Sequence, residues 1–330
     1  MKAPQIQTPA LAHSTQARPF RPSKALAYLL AIVLLVAVTL PLGTYQTDVY
    51  RKLLLWIAMA LGFNFLFGIA GQLAFSHFSF YGLGAYAVVI LWTQAGWPFP
   101  VAVAGALILC CTVALAVAIP ATRLHGFYLA LATLALAQLV TMLLNEGGTL
   151  TGGANGLANY PAPSVLGLRL EGPLLTTLLV TVLVTTFAVL RRLDRGDFGR
   201  SCRAVRDDPA AAAAMGIDVV RTKVAAFVLT GVFAALAGMC YAFVDRNVNP
   251  AAFDIEYAFQ LLFAVVIGGV GRQWGAIAGA VLVYLLPLIL SPLIGHYHAL
   301  VFGMAVVLIM LLEPRGLAGI WQRLRAGRTR

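Results

Sequence analysis

From Leu53 to Thr122 the sequence runs without a single Asp, Glu, Lys or Arg. A hydrocarbon layer takes about 20 apolar residues to cross as a helix, so this interval alone holds about three crossings. Further charge-free intervals cover 25–47, 124–145, 172–190, 224–244 and 273–312, the last with room for two. Inside a bilayer every backbone N–H and C=O must be satisfied without water, and a helix does this within one segment. The fold class that follows is an all-α polytopic membrane protein. Composition agrees, with 61% of the 330 residues hydrophobic and 11% charged.

The few charges orient the chain. The formal net charge is +11, and the basic residues gather in three places: Lys2, Arg18, Arg21 and Lys24; the 191–223 region; and Arg315, Arg323, Arg325, Arg328 and Arg330. Lys and Arg beside apolar spans mark the cytoplasmic side, which accounts for the charge without nucleic acid. Spans are expected near 25–42, 53–70, a third stretch ending at Gln94–Pro100, then 100–120, 126–144, 172–190, 224–243, 257–271, 275–291 and 299–312. That makes about ten, or eight if the third and the short eighth are half-helices. Both termini then lie inside, with a disordered tail over 1–24, a transmembrane region over 25–312 and a basic tail over 313–330. The loop 191–223 is cytoplasmic, and loops 146–171 and 245–256 are external. Arg51 and Lys52, at an outer end, run against the charge rule. The run after residue 25 has no small-residue cleavage site and reads as a span, not a removed signal.

Two stretches, "GIAGQLAFSHFSFYGLGAYAVVIL" (68–91) and "AVVIGGVGRQWGAIAGAVLVYLLP" (264–287), set clustered glycines between apolar runs. Such segments mark discontinuous helices near a substrate path or close helix contacts; both readings stand.

Within the 191–223 loop, "RAVRDDPAAAAAMGID" (203–218) reads as a short capped helix. Asp208 can accept from free N–H groups at the start, Pro209 suits the first helical position, the alanines favour helix, and Gly216 is a natural stop. A helix this short is unstable alone, because nucleation is costly. Its small apolar surface (Ala212, Ala213, Met215, Ile217) with Arg203, Arg206, Asp207 and Asp208 around it suits a groove on another protein. The alternative is a re-entrant loop resting on its own bundle.

The long spans carry no Asp or Glu, and His77 is their one candidate for the intramembrane ionisable group that ion-coupled carriers use. None of the lysines (Lys2, Lys24, Lys52, Lys223) follows a glycine, which excludes a phosphate loop of the G-x-x-x-x-G-K-[ST] kind. Cys110, Cys111, Cys202 and Cys240 lack metal-site spacing, and His296 and His298 read as an interface turn. No catalytic, cofactor or metal site is expected in this chain. An ion-coupled carrier and a membrane enzyme around His77 and His125 are the readings from other classes.

The chain resembles the permease subunits of bacterial ABC importers for branched-chain amino acids, the LivM-like kind. The resemblance runs from about residue 50 onward through "GQLAFSHFSFYGLGAY" (71–86), "GFYLALATLALAQ" (126–138), "TGGANGL" (151–157), "GRSCRAVRDDPAAAAAMGID" (199–218), "VVIGGVGRQWGAIAGA" (265–280) and "EPRGLAG" (313–319). It implies a vitamin-B12/ribose-importer-like permease fold in the bacterial cytoplasmic membrane. The implied partners are a second homologous permease, two cytoplasmic ATPases that bind the ATP and Mg, a periplasmic solute-binding protein and the lipid bilayer. Residues 207–217 fall on the family's coupling helix. Gly71, Gln72, His77, Gly82, Gly84, Tyr86, Thr133 and Asn155 are expected along or near the translocation path. Departures are Ala213 where a Glu is frequent, His125 for Arg, Gln260 for Glu, and Arg272 for a small residue. Related permeases carry urea, short amides or aromatic acids, so these are the alternative substrates.

Overall fold

The computed structural model describes residues 22–39, 41–124, 126–165, 167–294, 303–304 and 316–317. Twelve α-helices follow one another among them: α1 (Pro22–Ala37), α2 (Thr44–Asn64), α3 (His77–Val89), α4 (Phe99–Ala121), α5 (Phe127–Glu146), α6 (Gly148–Thr151), α7 (Gly172–Arg195), α8 (Asp197–Asp207), α9 (Pro209–Ala214), α10 (Val219–Asp245), α11 (Ile255–Gly268) and α12 (Gln273–Ile294). Five-residue π turns extend α2 to Ile69 and α3 to Gln94. Among the described residues seven helical stretches are long and apolar enough to cross a membrane: Thr44–Ile69, Phe99–Ala121, Phe127–Glu146, Gly172–Arg195, Val219–Asp245, Pro250–Gly268 and Gln273–Leu290. The expected first and third spans correspond to α1 and α3, which are shorter or more polar. The expected span at 299–312, His125, His296, His298 and most of both tails lie outside the described residues.

The core is built around α2. From Leu54 to Ile69 it is buried at every position except the half-buried Trp56 and Phe67, with α7, α10 and α12 packed around it. A helix apolar on all sides belongs in the centre of a bundle. By contrast, α4 is two-faced. Ala102, Ala106, Cys110, Ala114 and Ala118 are sealed against the bundle, while Ile108, Leu109, Leu115 and Ile119 face outward. Small residues every fourth position let helix backbones approach closely, which is how helices associate where hydrophobic burial gives no drive.

The closest approach joins α3 to α10. A Cβ on Gly238 would strike the carbonyl of Tyr81, one on Gly84 the carbonyl of Ala235, and one on Gly231 the Phe80 ring at 3.2 Å. The α11–α12 hairpin repeats the device, with Gly268 against Gly275 and Gly279 against Ala264. Both glycine-rich stretches therefore serve packing, and both also interrupt helices. The chain leaves helix over 70–76 and again over 269–272. α11 has 14 residues, about 21 Å of rise, less than a full hydrocarbon thickness.

At the end of the bundle opposite α9, the loops 146–171 and 245–256 form one cap. β1 (Leu157–Ala158) pairs antiparallel with β4 (Asn247–Val248). A separate small hairpin pairs β2 (Ser164–Val165) with β3 (Leu168–Arg169). Tyr160 Oη donates to Ala242 O at 2.5 Å, Tyr86 Oη to Val248 O at 3.0 Å, and Asn249 Nδ2 to Ala154 O at 3.2 Å. Arg246 pairs with Glu171 at 2.6 Å. Arg51, anomalous in the sequence, is absorbed here: it pairs with Asp48 and donates to Thr176 Oγ1 and Gly172 O at the start of α7.

Gly238→Ala is expected to force α3 and α10 apart and to destabilise by about 1–3 kcal/mol, as overpacking of a tight contact does. A lower melting temperature of the purified chain in detergent would show it. An unchanged melting temperature would mean that the α3–α10 contact yields freely.

Candidate functional site

The segment between α7 and α10 is a folded arm. α8 starts after Gly196 and is amphipathic: Gly199, Cys202 and Val205 are buried, and the Phe198 ring stacks on Phe65 with centroids 6.2 Å apart. Phe198, Cys202 and Val205 recur at four and three residues, the spacing of one helix face. Burial pushes the Cys202 thiol up to about 11, against a smaller opposing pull from Arg203.

α9 follows with the ends the sequence predicts. Asp208 Oδ1 accepts from Ala210 N–H at 2.9 Å and Ala211 N–H at 3.1 Å. Six residues, Pro209–Ala214, are helical, and Gly216 turns the chain at φ +84°, a conformation open to glycine and costly to most others. Ala212 alone of the helix is buried; Ala210, Ala211, Ala213 and Ala214 are exposed, and Met215 is 83% exposed. The helix thus rests on its own chain through one alanine and presents the rest outward.

The two arginines of the expected charged collar point elsewhere. Arg203 donates to the Asp194 carboxylate at 2.5 Å and to Asp194 O at 2.8 Å, tying α8 to the end of α7. Arg206 pairs with Asp207 at 2.8 Å and donates from Nη1 to Gly68 O at 2.6 Å. Its aliphatic stem lies so close over Gly71 that a Cβ there would collide with it. These arginines hold the arm to the bundle, and Asp207 and Asp208 stand exposed beside α9.

Arg206 reaches the arm's most informative neighbour, the place where both helix interruptions meet. Gly271 N–H donates to Asn64 Oδ1 at 2.8 Å, Gly68 lies directly against Gly271, and Gly316 lies against Gly269. The contacts form a chain from α9 through Arg206 to the end of α2, and from there to the α11–α12 turn. A cavity of about 150 Å³ lies between the first interruption and the arm, lined by Gly71, Gln72, Leu124, Arg206, Pro209 and Lys223 among others.

The residues expected along a path are not brought together on one wall. Gln72 Nε2 donates to Lys223 O, and Thr133 Oγ1 accepts from Phe75 N–H, so both brace the first interruption. His77 is buried near Gly62, and Ser76 Oγ, His77 Nε2 and Ser79 Oγ have no hydrogen-bond partner among the described residues. Gly82 touches Phe253, Gly84 touches α10, and Tyr86 tethers β4. Asn155 is exposed in the cap at the opposite end. Gln72, Gly82, Gly84, Tyr86 and Thr133 thus make packing or bracing contacts on and around α3. Among the described residues no cluster of His, Cys, Asp and Glu could hold a metal ion.

Comparison with known proteins assigns this architecture. Residues 46–312 match the model of the family described as "Branched-chain amino acid transport system / permease component", and the chain belongs to that family. It is 29% identical over 314 residues to the high-affinity branched-chain amino acid transport system permease protein LivM of Salmonella typhimurium, covering 87% of this chain and 74% of that one. Against LivH of the corresponding Escherichia coli system it is 25% identical over 281 residues, covering 79% and 90%. Against the ribose import permease protein RbsC of Haemophilus influenzae the match is 27% over 197 residues, covering 58% and 60%. No solved structure matches. The chain is a multi-pass membrane transport permease.

Removing Arg206 as Arg206→Ala is expected to free the arm. Cys202, buried and protonated at neutral pH in the parent, should resist maleimide and become modified several-fold faster in the variant, read at the peptide level by mass spectrometry. Equal rates in the two proteins would show that the arm does not depend on this tie.

Proposed function

We propose that this chain is the membrane-spanning permease subunit of an ATP-driven importer that moves branched-chain amino acids into a bacterial cytoplasm. Its partners in this reading are a second homologous permease, two ATPases that supply the nucleotide chemistry, and a periplasmic binding protein that delivers the solute to the joined cap of loops 146–171 and 245–256. Both termini and the α8–α9 arm lie on the cytoplasmic side, consistent with the basic clusters.

The observation that carries the reading is α9. A defined helix with four exposed alanines and Met215, capped at both ends and fixed to the bundle, fits a surface made to enter a groove. An isolated six-residue helix has no reason to persist; one braced at its base and contacted by a partner does. Movement imposed on α9 has a physical route inward, through Arg206 to Gly68 and through the Asn64–Gly271 hydrogen bond to the α11–α12 turn. No ionisable couple in the spans is needed, because the energy enters from the ATPases.

Two measurements test this. Affinity purification of the tagged chain from its own membranes should recover ATPases bearing phosphate loops together with a second permease; recovery of this chain alone in several mild detergents would overturn the reading. Met215→Glu changes a side chain that touches little of its own chain, so the protein should insert and melt normally while amino-acid uptake falls at least tenfold. Uptake at the parent rate would remove α9 from the mechanism. Ala212→Asp is a less clean probe, since that residue is buried within the chain.

A further inference from the structure

The opposite half of the bundle holds a cavity that neither the arm nor the cap accounts for. It encloses about 210 Å³ between α2, α3, α10, α11 and α12, and its walls are aromatic: Trp56, Phe78, Tyr81, Tyr241, Tyr257 and Tyr284. The rings form a connected set. Trp56 lies 5.7 Å from Phe78 and 6.0 Å from Tyr284, and Phe78 stacks on Tyr257 at 6.1 Å. Lys52 also lines the cavity. Its Nζ lies 2.6 Å from Asp245 Oδ1, with the two side chains 36% and 26% exposed.

This pair is the second half of the charge anomaly noted in the sequence. Arg51 is fully occupied in tying α2 to α7, whereas Lys52 reaches a single carboxylate at the rim of an aromatic chamber. Partly exposed ion pairs add little to stability, so holding α2 to α10 is a weak reason for placing two charges here. A cation and an anion side by side above an apolar chamber are, however, complementary to a zwitterion with an apolar tail. The carboxylate of a free amino acid would take the Lys52 ammonium, its own ammonium would take Asp245, and neighbouring tyrosine and tryptophan faces attract such a cation. The exchange replaces one ion pair with two and leaves no charge unpartnered, which avoids the penalty of desolvating a lone ion. Small-molecule sites have this composition, with apolar and aromatic walls and a few polar groups that fix orientation.

We propose that the cavity bounded by Lys52 and the rings of Trp56, Phe78, Tyr81 and Tyr257, with Asp245 paired to Lys52 beside it, is a transient binding station for a zwitterionic amino acid with an apolar side chain. The proposal rests on the transport reading above and gives it a place in the membrane where the solute is recognised. The chamber accepts side chains by shape and apolarity alone, so leucine and phenylalanine should compete for it.

The test is equilibrium binding of radiolabelled L-leucine to the full chain in lipid nanodiscs. Saturable binding is expected, displaced by L-phenylalanine. 4-Methylpentanoate lacks the ammonium and 3-methylbutylamine lacks the carboxylate, so neither should displace it at equal concentration. Lys52→Met should weaken binding about tenfold or more, the loss that accompanies a missing charge-assisted hydrogen bond. The exchange Lys52→Asp with Asp245→Lys restores an ion pair between α2 and α10 while reversing the charges that face the solute. It should recover the parent melting temperature and not the binding. Absence of saturable binding in the folded parent would overturn the proposal. So would displacement by either half-analogue as readily as by phenylalanine, or parent affinity in the charge-exchanged protein. ATPases co-purifying with a chain that binds no leucine would sink the station and leave the importer reading standing; leucine binding without ATPases would do the reverse.

Discussion

A helix that ends within a packed bundle leaves backbone groups that need partners there, and this chain interrupts its helices in this way twice, over 70–76 and 269–272. Its solution is to bring the two interruptions together. Gly271, in the second, donates its N–H to Asn64 Oδ1 near the end of α2, and Gly68 beside the first rests on Gly271 with no side chain between them. The carbonyl of Gly68 is met by Arg206. A buried amide, two glycines and one arginine thus allow irregular backbone at the base of the bundle. The arm, the central helix and the α11–α12 turn all depend on that meeting point. A carboxamide suits the position, because it accepts a hydrogen bond without bringing a charge into the bundle.

How much of this was legible in the sequence varies with the range of the interaction. The charge-free runs announce the helical membrane fold because hydropathy is a property of each segment alone. The ends of α9 are equally local: Asp208, Pro209 and Gly216 act within one turn of themselves, and the structure has them in those roles. The glycine-rich stretches signalled both interruption and close packing, and both occur. What could not be read was pairing at a distance. Nothing around Asn64 announces Gly271, and nothing around Arg206 announces Gly68, more than a hundred residues away. The β1–β4 pairing that unites the two outer loops involves two residues on each side, too few to leave a pattern.

The residues expected to line a path also carry structural contacts of this kind. His77, Gly82, Gly84, Tyr86 and Thr133 stand out in an apolar sequence because they are polar or small. In a membrane bundle both properties also serve packing: small residues let backbones touch, and hydroxyls brace irregular chain. Thr133 accepting from Phe75 N–H and Tyr86 donating to Val248 O are of this kind. Lys52 breaks a topology rule in the sequence, and in the structure it lines the aromatic chamber of about 210 Å³. A charge that breaks a positional rule beside a long uncharged run draws attention to a position that small and polar residues alone do not mark.

The composition of α9 carries a consequence for reversible contact. Alanine has no side-chain rotamers to lose, so a surface made of Ala210, Ala211, Ala213 and Ala214 pays almost no conformational entropy when something closes around it. Binding built on long, adaptable side chains must freeze them on every engagement and release them on every departure. A joint faced with methyl groups and set on a rigid backbone can make and break contact repeatedly with little thermodynamic friction, and it transmits a push without first absorbing it in side-chain rearrangement.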